Sequence, residues 1–153
     1  MPDNTTPIFT RAARWAAARI TAAEGTALTV VFTAGEFGSR LQALTAANAD
    51  TAAQTLYLWV ELPGGQSAPL HALAVPAEAG FGPAVPLASA LTDALTPYIP
   101  HDAHDNRYLD LPPGALLKAR VATPIAAGTS TAPNATDLGL PQGLYLTAVG
   151  QDY

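Results

Sequence analysis

Proline and glycine interrupt this chain so often that few long regular elements fit between them. Fourteen prolines and twelve glycines are spread over 153 residues, leaving short pieces that suit strands joined by turns better than long helices. Segment 54–62, QTLYLWVEL, is the clearest strand: Leu56, Leu58, Val60 and Leu62 share one face, and Tyr57, Trp59 and Glu61 share the other. The first face reads as core and the second as half covered. Pro63-Gly64-Gly65 supplies a turn, and segment 68–75, APLHALAV, reads as the returning strand of a hairpin.

Other segments follow the same logic. The β-branched and aromatic run 27–33, ALTVVFT, suits a buried strand. Segment 115–122 sets Leu117, Ala119 and Val121 against Leu116, Lys118 and Arg120, and 143–149 alternates likewise. Two alanine-rich segments, 11–23 and 39–53, carry strong helix propensity. Strands bracket both closely, and Thr, Asn and Asp interrupt the second, so both are expected to be mostly extended. A helix-rich alternative requires both to be helical. One short helix is expected, with Ser89 as N-cap and residues 90–95 as its body before Pro97. Segments 76–86, 96–106 and 124–142 read as loops. The expected fold is all-β: a sandwich of jelly-roll type, with about eight short strands and at most one short helix. A single domain from residue 13 to 153, preceded by an arm at 1–12, suits this length.

Composition narrows the functional classes. Only 12 % of residues are charged against 49 % hydrophobic, about half the charged share usual in a soluble globular domain. Thr, Ser, Asn and Gln must then keep the surface wet, or partners cover part of it. A net charge of -5, with basic residues scattered apart from Arg11, Arg14 and Arg19, argues against nucleic-acid binding. No stretch approaches the roughly 20 apolar residues of a membrane span. The start, MPDNTTPIFTR, is acidic and polar where a secretory signal is basic and then apolar, so export by that route is not expected. Cysteine is absent, which removes disulfides, zinc thiolates and thiol catalysis.

Candidate chemistry is sparse. The loop Ala34-Gly35-Glu36-Phe37-Gly38-Ser39-Arg40 has the look of a phosphate cradle, but its glycines are too close and no lysine follows. A turn needs only a glycine at positive φ. His101-Asp102-Ala103-His104-Asp105 offers two imidazoles and two carboxylates that could ligate a divalent metal. The plainer reading is a solvated loop shaped by Asp and Asn side chains bonded to nearby backbone N–H groups. His71 sits among apolar residues in an expected strand. The carboxylates are scattered, no nucleophile elbow occurs, and Asn134-Ala135-Thr136 is a sequon without a secretory context. No catalytic residue, cofactor or metal is therefore expected. Trp15, Tyr57 and Trp59 could stack on sugar rings or, more simply, fill a core or subunit interface. Arg11, Arg14, Trp15 and Arg19 form either an arm gripping an acidic neighbour or the first strand with its exposed residues.

The order of these pieces resembles a widespread group of small virion proteins of tailed bacteriophages. The likeness is carried by Val31-Phe32-Thr33-Ala34-Gly35-Glu36-Phe37-Gly38-Ser39-Arg40-Leu41, then Asn48-Ala49-Asp50-Thr51-Ala52-Ala53. It continues through Arg107-Tyr108-Leu109-Asp110-Leu111-Pro112-Pro113-Gly114-Ala115-Leu116-Leu117-Lys118-Ala119 and closes on the strand and polar tail from Leu144 to Tyr153. It spans nearly the whole chain. The stretch between Gly128 and Gly143 departs from the group, which has only a brief turn there; an insertion at about 124–142 is expected to run over the surface. The resemblance implies a capsid decoration, or cement, protein on the outside of the virion. Its partners would be the major capsid protein and further copies of itself, as a dimer or trimer. Arg11, Arg14 and Trp15 are the expected capsid contacts. The alternative is a tail or head-fibre component that binds host-surface glycan through Trp59 or the 124–142 loop.

Overall fold

The computed structural model describes residues 12–91 and 99–153. Strands dominate it: β1 Ala12–Ile20, β2 Thr29–Thr33, β3 Ser39–Asn48, β4 Gln54–Glu61, β5 Ser67–Val75, β6 Ala88–Ser89, β7 Leu109–Leu111, β8 Leu116–Val121 and β9 Leu144–Asp152. Among the described residues one short helix, α1, spans Pro133–Asp137. Pairing is antiparallel and nested: β1 with β9, β2 with β8, β3 with β7, and β4 with β5. The pairs β3–β9 and β4–β8 join these into two sheets, β1-β9-β3 and β2-β8-β4-β5, with β6 and β7 both on the outer edge of β3. A long hairpin folded over itself in this way is the jelly-roll sandwich.

Alternation at period two places the core between the sheets. Leu117, Ala119 and Val121 of β8 are buried, as are Leu56 and Leu58 of β4. They face Leu41, Leu44 and Ala46 of β3 and Leu144, Leu146 and Ala148 of β9. In β2 a bulge between Val30 and Phe32 turns both Val31 and Phe32 inward. Both alanine-rich segments are extended. In β1 the inward residues Ala16, Ala18 and Ile20 alternate with exposed Ala13, Trp15, Ala17 and Arg19, a period that no helix has. Ladder pairing to β9 along all nine residues outweighs alanine's modest helix preference.

Four details differ from the expectations. Ser89, expected as an N-cap, is a strand residue of β6 paired with Thr45 of β3, whose open edge offers it a ladder; residues 92–95 of the expected helix lie outside the described residues. Ala12 already pairs with Asp152 and so belongs to the sheet, and residues 1–11 of the expected arm lie outside the described residues. Leu62, expected on the core face, is exposed beyond the end of β4. Segment 124–142 is not all loop. It holds α1, opened by Pro133 where a missing N–H costs nothing. Ala132 and Ala135 from this segment pack with Ala49, Phe81, Leu140 and Tyr145 in a second small core. Ser130, also buried, donates a hydrogen bond to the Ala49 carbonyl.

Candidate interaction surface

The β2–β3 connection is a turn. The Gly38 N–H donates to the Gly35 carbonyl (3.1 Å). Gly38 has φ +92°, and a Cβ there would lie 2.8 Å from the Leu111 carbonyl, so both conformation and space require glycine. The anion beside this loop is the chain's own Asp152. Ser39 accepts from the Gly35 N–H (2.9 Å) and donates to Asp152 Oδ1 (2.5 Å), while Arg14 Nη1 donates to both Asp152 oxygens (3.1 and 3.2 Å) and to the Thr33 carbonyl (3.0 Å). The Arg14 guanidinium also lies 5.1 Å from the centre of the Phe32 ring. Arg14 is thus tied to the chain itself, joining β1, β2 and β9. Trp15, the next residue, points the other way and is 74 % exposed. Arg11 lies outside the described residues.

Around Trp15 the outer face of this sheet carries few charges. Trp15 is level with Val149 and Ala43, and Ala17 with Thr147 and Thr45. At one end Arg40 is neutralised by Asp110 through paired bonds of 2.9 and 3.1 Å, stacks 3.8 Å over Tyr108, and sits 5.7 Å from the Tyr153 ring. The hydrogen bond to Asp110 pushes the Arg40 guanidinium still further from losing its proton. Tyr153 donates to the same carboxylate (2.6 Å), and its phenol is pushed up first by burial and then by that bond.

The opposite sheet presents Tyr57 with Arg120 5.3 Å over its ring. Trp59 is level with Lys118, Val30 and Pro69. Lys118 pairs with Glu61 at 2.5 Å and holds that carboxyl below its ordinary range. Trp59 is half-buried, and its indole N–H finds no hydrogen-bond partner among the described residues. Trp15 therefore stands on one sheet and Tyr57 and Trp59 on the other. They do not combine into one stacking platform. His71 is half-buried opposite Leu58.

Loop 101–106 is a tight hairpin closed by the bridge between His101 and Arg107 and by the Asp102 N–H to the Asn106 carbonyl (2.9 Å). Asp102 accepts from the His104 and Asn106 N–H groups (2.8 and 2.9 Å) and from the Asn106 amide, which hold its carboxyl below the usual aspartate range. His101 Nδ1 lies 2.5 Å from Asp105 Oδ1, and Asp105 takes the left-handed conformation at φ 63°. Asp102, Asp105 and the His101 ring are thus engaged within the loop. Among the described residues no group of three or more His, Cys, Asp or Glu could hold a metal. Beside the loop is a cavity of about 300 Å³ lined by Arg40, Gln42, Asp102, Asn106, Arg107 and Tyr108. Of the other carboxylates, Glu24 serves Thr21 and Asp50 serves Ala52 and Gln54.

Comparison with protein-family models, with curated proteins and with solved structures gives no match. What the chain does must therefore be argued from its own residues.

The resemblance motif Asn48-Ala49-Asp50-Thr51-Ala52-Ala53 has a structural part to play. Fully buried Asn48 donates to the carbonyls of Ala52 (2.9 Å) and Pro76 (3.0 Å) and accepts from the Asp50 N–H (2.9 Å), pinning the β3–β4 crossing. The sequon's Asn134 donates to the Phe81 carbonyl (2.8 Å). What sequence reasoning missed is the Arg14–Asp152–Ser39 node, whose acid lies 138 residues from its base.

Proposed function

We propose that this chain is a non-enzymatic virion structural protein of a tailed phage: a cement, or decoration, protein bound to the major capsid protein lattice on the outside of the head. The observation that carries the proposal is Trp15, 74 % exposed beside alanine, threonine and valine on a sheet face whose cations are Arg19 and Arg40. An exposed apolar residue in such a setting suits an interaction surface, and the resemblance in sequence supports reading that surface as one that meets a phage shell. A subunit that binds the expanded lattice and not its precursor stabilises the expanded state by mass action. Asp102, Asp105 and the His101 ring are engaged in shaping their own hairpin, and Glu24 and Asp50 in shaping turns. The reading needs no cofactor, and copies of the chain around a symmetry axis suit it.

The glycan-binding alternative draws no support from Trp59, which is half-buried, and the 124–142 segment places Ala132, Ala135 and Leu140 in its own small core. The test is occupancy of purified heads. Trp15→Ala, and separately removal of residues 1–12, should each lower the copies bound per head by at least tenfold at limiting protein. Unchanged occupancy in both, or protein found only at the tail, rejects the proposal.

A further inference from the structure

The edges of the two sheets are unequally guarded. β5 carries Pro69 and a bulge opposite Leu58 and Trp59, β2 has a bulge after Val30, and β6 and β7 are two and three residues long. Proline, bulges and short length are the means by which proteins prevent edge-to-edge pairing. β1 is long, with no proline or bulge, and its charges are Arg14 and Arg19. It runs for nine residues without a break in register, paired with β9 on one side and with no strand on the other among the described residues. Arg14, the inward charge that could guard it, is already neutralised by Asp152.

We infer that two copies of this chain join through β1, antiparallel, about a two-fold axis at Ala16. This deepens the homo-oligomeric part of the reading above but needs no capsid. An axis perpendicular to the sheet pairs residues of the same face, and the register centred on Ala16 uses all nine positions. Ala12 then faces Ile20 of the second copy, Ala13 faces Arg19, Arg14 faces Ala18 and Trp15 faces Ala17. Every large side chain meets a small or apolar one. No two like charges stand directly opposite, an arrangement that would destabilise the pair. Trp15 and Arg19 of the second copy lie on the diagonal from Trp15, within reach of a long or aromatic side chain, where a guanidinium is attracted to an indole face. The sheet becomes continuous across the axis, and the two Trp15 side chains stand side by side on its outer face, still open to a further partner.

The chain has no cysteine, so a single introduced thiol reports the register. Sedimentation of the wild-type chain should show a dimer, and Trp15→Lys, at an exposed position, should raise the dissociation constant at least tenfold. On mild oxidation Ala16→Cys should form at least ten times more covalent dimer than Ala13→Cys. In this register the Ala13 positions are six residues apart along the ladder, roughly 20 Å. A wild-type chain that stays monomeric overturns the inference even if it binds heads through Trp15, because the occupant of β1 is then a capsid strand. A dimer unaffected by Trp15→Lys, or equal crosslinking of the two cysteine variants, overturns it as well. A dimer that does not bind heads leaves this inference standing and removes the capsid reading.

Discussion

Asp152 answers to three neighbours at once, and the cost of losing it can be divided among them. Its carboxylate takes the Ser39 hydroxyl and the Arg14 guanidinium, and it fills the space beside Gly35, where a Cβ would sit 2.8 Å away. Ser39 is fully buried, so its hydroxyl has no water to turn to. Asp152→Ala should therefore cost about 1–3 kcal/mol, the range for leaving a buried donor unmade. Gly35→Ala should cost about as much by displacing the carboxylate, within the usual range for overpacking. The double variant should cost less than the sum, with a coupling of about 0.5–3 kcal/mol, because the added methyl occupies the space the carboxylate has left. Urea denaturation of the three variants measures this; strict additivity would mean that Gly35 and Asp152 do not meet. None of this node was legible in the sequence. Gly35 reads as a turn residue and Arg14 as a surface cation, and nothing local says that the acid they share is on the last strand.

Elements were legible where burial is periodic and long. β4, β5, β8 and β9 announce themselves by alternation, and β1 and β3 by the strands that bracket their alanines. β6 and α1 do not. At two and five residues they contain too little pattern to show a period, and tertiary partners, the edge of β3 and the Ala49–Phe81–Tyr145 cluster, decide their state. The 101–106 hairpin lies between: its Asx chemistry was readable, but not which aspartate organises it. The structure picks Asp102, and pH tests that choice. Its folded-state pKa lies below the ordinary aspartate value of about 3.9. The ionised group therefore stabilises the loop at every pH above that value, and the contribution is lost only as pH falls through the lower, folded-state pKa. The amide resonances of His104 and Asn106 should hold from pH 7 to roughly 4 and move together below it. Amides that do not move together on acidification would mean that another group organises the loop.

At the scale of the whole molecule, the low charge content and the distribution of the charges have one consequence. Of the five lysines and arginines on described strands, Arg14, Arg40 and Lys118 are held by Asp152, Asp110 and Glu61, Arg120 lies over Tyr57, and Arg19 is exposed on β1. With Arg19 the exposed cation beside it on β1, a surface centred on Trp15 should associate chiefly through apolar contact. Apolar association is not screened by simple salt, whereas exposed ion pairs more than about 8 Å apart are largely screened at physiological ionic strength. Excluded salts such as sulfate strengthen it. Head occupancy by the wild-type chain should therefore change less than about threefold between 0.1 and 1 M NaCl, and rise in sulfate of equal ionic strength. Measuring bound copies per head across the series separates the two mechanisms: a fall of tenfold or more in NaCl would place the binding energy in charged contacts, and β1 with its lone exposed tryptophan would not be the surface that meets the shell.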